Sequence, residues 1–140
     1  MPEQIGIVVS TYNSNITNRL LEGAKETLAK ADRSFEVTQV PGAWELPLAA
    51  TWFAEKPEVA GVVTLGAVIR GETTHDQHIN RAVSNALMDL MVRTGKPIGF
   101  GLLTCNTLEQ AIHRAGGNVG NKGVEAAEAV LAMLDAKRSF

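Results

Sequence analysis

The sequence holds a single cysteine, Cys105, in 140 residues. One thiol closes no intrachain disulfide, so a disulfide-stapled scaffold is excluded and stability must come from packing, for which this length suffices. Aromatic residues make up only 5% of the chain, so the position of each carries information. Neither sign of charge dominates: 13 Lys and Arg stand against 15 Asp and Glu, a formal net charge of −2, without the basic footprint of a nucleic-acid binder. No apolar run approaches the roughly 18–20 residues of a membrane span. The opening MPEQIGIVVS lacks the basic n-region of a secretory signal. Repeats, low-complexity tracts and linkers are missing too. Residues 1–140 are therefore expected to form one domain, in a reducing cytoplasm, where Cys105 after Leu102 and Leu103 reads as a buried, inert thiol rather than a reactive one.

What is present is an ordinary globular composition, 45% hydrophobic and 20% charged, arranged in alternating strand and helix patterns. Residues 5–10 form a short apolar strand, followed by the turn Thr11-Tyr12-Asn13-Ser14-Asn15. A helix then runs to about residue 31, with Ile16, Leu20, Leu21, Ala24 and Leu28 on one face and an Asn or Ser N-cap. Residues 35–40 are a second strand, stopped by Pro41-Gly42; the next helix carries Trp44, Leu46, Leu48, Ala49 and Phe53. The third strand, 60–69, is nearly continuous in apolar residues. The helix after it, 76–94, repeats Ile79, Ala82, Val83, Ala86, Leu87, Leu90 and Met91 at the spacing of one buried face. Gly95-Lys96-Pro97 precedes a fourth strand, 98–103. Thr107 with Gln110 begins a helix by a capping box; this helix is expected to bury Leu108, Ala111, Ile112 and Ala115 and to end at Gly116-Gly117. A last helix starts near Lys122 and carries Val124, Ala127, Val130, Leu131 and Leu134. Four strand–helix alternations with apolar strands predict an α/β, three-layer, flavodoxin-like sandwich: a four-stranded parallel sheet with helices on both faces.

The chemistry is expected at the carboxyl end of the third strand, where Arg70, Gly71, Glu72, Thr73, Thr74 and His75 form a polar turn into a helix. Ligands of open α/β sheets bind at strand carboxyl ends, and a helix N-terminus attracts anions. Gly66 and Gly71 have the spacing of a phosphate-binding P-loop, but Glu72 stands where that loop needs Lys and the residues between are strand-like, so the motif is rejected. His75, Asp76 and His78 lack a nearby cysteine or third histidine, and His113 is distant in sequence, so no metal is expected. His75 itself reads equally as a solvated first-turn residue or as an acid–base group. Trp44 and Phe100, each taken alone, read as core, whereas Tyr12 sits in a polar turn. His113 and Arg114 could be simple partners of a helix C-terminus. Lys122 stands at a helix start, where a cation is disfavoured, and asks for another reason.

Together the segments resemble the lumazine synthase family. The matching blocks are Val40-Pro41-Gly42-Ala43-Trp44-Glu45-Leu46-Pro47, Leu65-Gly66-Ala67-Val68-Ile69-Arg70-Gly71 with Thr73-Thr74-His75, Leu108-Glu109-Gln110-Ala111-Ile112 with Arg114-Ala115-Gly116, and Gly120-Asn121-Lys122-Gly123. The resemblance implies condensation of 5-amino-6-(D-ribitylamino)uracil with 3,4-dihydroxy-2-butanone 4-phosphate, releasing phosphate and water, in riboflavin biosynthesis; no cofactor fingerprint is evident, and no cofactor is expected. It implies that Tyr12 stacks on the pyrimidine, that Ala43, Trp44 and Glu45 border it, and that Ala67, Val68 and Ile69 offer backbone groups to the uracil. Glu72 and Thr73 would lie on the phosphate turn and His75 would move protons. Phe100, Arg114 and Lys122 would complete the pocket from a neighbouring subunit, with Arg114 on the phosphate. A homo-oligomer, at least a pentamer, follows from such a shared site. Three departures stand out: Asp76-Gln77-His78 replaces an aromatic–Asp–aromatic run, Glu72 replaces a small residue, and the sequence begins at the first strand without the short extension that commonly pairs with a neighbour. The short 116–121 connection favours closed shells and the missing extension opposes them. The alternatives to an enzyme are a flavin- or lumazine-binding relative without turnover and a shell-forming structural protein.

Overall fold

The computed structural model describes residues 3–70, 75–117 and 119–140. The expectations for Glu72 and Thr73 lie outside the described residues. In chain order the elements are β1 (Gln4–Ser10), α1 (Ser14–Lys30), β2 (Phe35–Val40), a 3-10 turn (Ala43–Glu45), α2 (Leu46–Ala54), β3 (Val59–Ile69), α3 (His75–Thr94), β4 (Ile98–Cys105), α4 (Leu108–His113), β5 (Ala115–Gly117), β6 (Gly120–Asn121) and α5 (Lys122–Lys137). β1 to β4 form one parallel sheet in the order β2-β1-β3-β4, the flavodoxin-like α/β arrangement that the alternation predicts. β3 lies inside the sheet with helices on both sides, and its residues 59–67 are all buried. That burial is why it reads as a continuous apolar run rather than an alternating one.

Each face of the sheet packs its own helices. On one, Ile5, Ile7, Val9, Val63 and Leu65 meet Ile16, Leu20, Ala24 and Leu28 of α1 and Ala126, Ala127 and Val130 of α5. On the other, Val8, Val62, Ile98 and Leu102 meet Leu46, Ala50 and Phe53 of α2 and Val83, Leu87 and Leu90 of α3. Each fully buried Leu or Ile contributes about 1.5–3 kcal/mol relative to an exposed one.

α1 and α5 approach each other through glycine. A Cβ at Gly123 would run into the backbone carbonyl of Leu20, and one at Gly23 into the Asn121 side chain. Asn121 itself caps α5, its Oδ1 accepting from the N–H groups of Gly123 (2.8 Å) and Val124 (3.1 Å), while its Nδ2 donates to the carbonyl of Arg19 in α1 (3.1 Å). One amide thus fixes the start of α5 against the middle of α1.

Five expectations are corrected. Asn13 occupies the N-cap position of α1 but makes no side-chain cap bond; it adopts the left-handed region (φ 62°), which Asn tolerates, and its amide is used elsewhere. α4 stops at His113, and 115–117 pair antiparallel with 120–121. Glycine disfavours helix, and Gly116 and Gly120 take φ near +104° and +108°, open to glycine and strained for other residues. Leu108 is exposed rather than buried: it stands at the first position of α4, whose inward side is taken by Ala111. Ala82 and Ala86 of α3 are exposed as well, since Val83, Leu87 and Leu90 set the inward stripe. Thr107 does cap α4, its Oγ1 accepting from the N–H of Gln110, but Gln110 reaches back to the N–H of Asn106 and not to that of Thr107.

Candidate active site

β1 pairs with β3 only as far as Val9 and Leu65, whereas β4 follows β3 to Ile69 and Cys105. The last residues of β3, 66–69, therefore overhang the end of β1. The chain leaving β1 turns over this step: the N–H groups of Thr11 and Tyr12 donate to the carbonyls of Val40 (2.8 Å) and Pro41 (3.0 Å) at the end of β2. Asn13 then sends its Nδ2 to the carbonyl of Ala67, 3.0 Å away. Backbone groups of alternate strand residues face the same side, so Ile69, two residues beyond Ala67, directs its N–H and carbonyl toward the step as well.

The result is a cleft of about 390 Å³ at the carboxyl ends of the strands. Its floor is Ala67, Val68 and Ile69; Tyr12 and Asn13 form one wall; Gly42, Ala43 and Trp44 form a second; His75, Asp76 and Ile79 of α3 form the third. Tyr12 and Trp44 are 70% and 62% exposed. Trp44 is thus no core residue, contrary to the reading of it alone: the 3-10 turn points Ala43 and Leu46 inward and leaves the indole outside. His75 is exposed at the first residue of α3. Glu45 closes the 3-10 turn, one carboxylate oxygen accepting from the N–H of Gly42 at 2.9 Å. Gly66 lies within β3, not in a loop, as expected from the rejected P-loop.

Phe100, Arg114 and Lys122 do not reach this cleft within one chain. Phe100 pairs with Thr64, three residues before Ala67, which is roughly 10 Å back along the strand; it is partly exposed on an outer strand rather than core. Arg114 is exposed after α4, and its carbonyl accepts from the N–H of Lys122 at 2.8 Å, so the two cations are neighbours on the α4–α5 side. The Cys105 thiol is buried, as expected. Its burial pushes the thiol above its ordinary value, and the Arg114 guanidinium pulls it back down.

Four cleft residues are not among the expected site residues: Asn13, Gly42, Asp76 and Ile79. Asn13 carries no local signal, because its partner Ala67 is 54 residues away. Asp76 stands out in the sequence only as a rejected metal-ligand candidate and as a departure from the family pattern. A second, open groove lies between α1 and α5, lined by Arg19, Glu22, Gly23 and Asn121 among others; Asn121 there is already engaged in the helix contact. Among the described residues, no three His, Cys, Asp or Glu come together in a way that could hold a metal ion, and no helix is long and apolar enough to cross a membrane.

The model of the 6,7-dimethyl-8-ribityllumazine synthase family matches residues 2–138. The chain belongs to this family. A 6,7-dimethyl-8-ribityllumazine synthase of Rhodopirellula baltica is 53% identical over 135 residues, covering 94% of this chain and 86% of that one. Similarly named proteins of Thermus thermophilus and Limosilactobacillus reuteri are 46% and 43% identical, covering 94% and 98% of this chain and 85% and 91% of theirs. The family match spans every element that lines the cleft, including the overhang of β3 and the first turn of α3.

Proposed function

We propose that this chain is a working 6,7-dimethyl-8-ribityllumazine synthase, condensing 5-amino-6-(D-ribitylamino)uracil with 3,4-dihydroxy-2-butanone 4-phosphate. The observation that carries the reading is the coincidence of the family match with a cleft that sets two aromatic rings, an overhanging strand edge and a histidine around one space. The amino group of the pyrimidine attacks the ketone and water leaves; the phosphate is eliminated as a proton leaves the carbon skeleton; the second nitrogen closes the ring and a further water departs. These steps need proton transfer and positioning more than a protein nucleophile. Histidine both gives and takes protons near neutral pH, and His75 stands at the cleft wall to do so. Tyr12 and Trp44 hold the planar pyrimidine, and the backbone on the open side of β3, at Ala67 and Ile69, reads its amide edge, with Val68 lining the floor between them. Ala43 shapes the wall beside it, and the carboxylate of Glu45 has one oxygen left for a ribityl hydroxyl. Glu72 and Thr73 follow β3, where the phosphate belongs.

Phe100, Arg114 and Lys122 serve the cleft of a neighbouring copy, in a pentamer or an assembly of pentamers. Leu48 and Trp52 continue the exposed line of Trp44 along α2, and Met88 and Val92 of α3 are exposed too, an apolar surface that a second copy would bury. Residues 1–140 act as one domain, and a reducing cytoplasm suits its single buried thiol. The deciding experiment follows lumazine absorbance when both reactants meet the purified protein, against a protein-free control. Clear acceleration is expected; folded, assembled protein without acceleration overturns the reading.

A further inference from the structure

Asp76 stands in the first turn of α3 and is only 6% exposed. Acidic residues suit a helix N-terminus because its free N–H groups carry partial positive charge. That preference is satisfied by a carboxylate in water and does not call for burial. Burying a carboxylate is costly unless donors replace the water it loses. Among the described residues Asp76 Oδ1 has no such donor although it is shielded from solvent. One turn later on the same side of α3, Asn80 presents a second shielded oxygen without a partner. Asp76 is also part of the cleft wall, between His75 and Ile79.

A carboxylate can only accept hydrogen bonds when ionised. Of the two reactants, the phosphate-bearing ketone is an anion with a single free hydroxyl, while the pyrimidine is rich in donors: an amino group, ring N–H groups and the ribityl hydroxyls. We propose that Asp76 determines specificity for the pyrimidine reactant, its buried carboxylate accepting a hydrogen bond from an N–H or O–H group of that molecule. This rests on the reading of the cleft as a lumazine synthase site. An acceptor held out of water before the reactant arrives favours a molecule that brings a donor and rejects one that does not.

The test compares full-length wild type, Asp76→Ala and Asp76→Asn in three measurements: KM for each reactant with the other saturating, equilibrium binding of the pyrimidine by tryptophan fluorescence, and Tm. Asp76→Ala is expected to raise KM and Kd for the pyrimidine about 10–100-fold, with KM for the ketone phosphate changed less than about 2-fold. Asp76→Asn keeps an acceptor without the charge and is expected to lose about 3–10-fold. Tm should stay level or rise, because a buried oxygen without a donor has been removed. An analogue with methylamino in place of ribitylamino identifies the donor: a loss that persists assigns a pyrimidine N–H, and one that vanishes assigns a ribityl hydroxyl. Unchanged pyrimidine KM and Kd in both variants, or an equal rise for both reactants, overturns the proposal. So does a fall in Tm without a KM effect, which would make Asp76 structural. Should Asp76→Ala fail to fold, Asp76→Asn decides. Wild type that binds the pyrimidine through Asp76 but does not accelerate the reaction would sink the functional reading and leave this one standing.

Discussion

The two faces of the sheet are finished differently. The α1–α5 face is closed by the chain itself: glycines at 23 and 123 let the helices touch, and the Asn121 amide joins them. The α2–α3 face has an equally apolar inner layer, yet its outer surface carries Trp44, Leu48, Trp52, Met88 and Val92 in the open, with the cleft beside them. Apolar side chains of this size leave water when a partner is available. The contrast is one of finish: both faces bury an apolar core, but one is sealed by its own helices while the other leaves large apolar side chains and the cleft open.

That contrast can be broken at several points. His75→Ala should lower turnover about 10²–10⁴-fold with Tm unchanged, measured by lumazine formation and thermal unfolding; unchanged turnover would remove His75 from the reaction. Gly123→Val should do the opposite on the other face, costing about 3 kcal/mol or more because its Cβ meets the Leu20 backbone. Urea unfolding measures this, and a stable variant would show that the helices can part without loss. Trp52→Glu should leave the fold intact but disassemble the proposed oligomer in analytical ultracentrifugation, and turnover should fall about 10-fold or more as the proposed shared sites are lost. An intact assembly would place the interface elsewhere. The smallest effect concerns Cys105. With its thiol pushed up by burial, the unfolded chain loses its proton first as pH rises. The thiol's contribution to stability is full below its ordinary value of 9.0 and declines above it. Thiol reagents should label Cys105 more slowly than a free cysteine at pH 8; equal rates would mean the thiol is open to solvent.

Much of this was legible in the sequence where the signal is local and repeated. β2 is found at residues 35–40 as read, and β1, β3 and α3 differ by a residue at one end, because apolar runs and 3.6-residue spacing record burial directly. The hairpin after α4 was missed because its pairing uses glycines, which look the same at a helix end and in a turn. Trp44 misled as a single residue: a large ring usually signals core, and only the 3-10 turn before α2 reveals that it faces out. An Asn or Ser in the turn before α1 reads as a helix cap because that is what these side chains do locally; the bond from Asn13 to Ala67 depends on two strands being neighbours. The cleft could be placed at the end of β3 from the strand–turn–helix pattern, whereas the burial of Asp76 could not, since a charged residue in a first helical turn is normally solvated.

The Asn121 amide has a further meaning during synthesis. Its partner Arg19 lies 102 residues earlier in the chain, so α1 emerges from the ribosome long before the element that seals it. At about 5–20 residues per second, several seconds pass in which Leu20, Gly23 and Ala24 wait without α5. The α1–α5 contact, closed through Gly23 and Gly123, is therefore among the last to form, and that interval is when the nascent chain most needs protection from other chains.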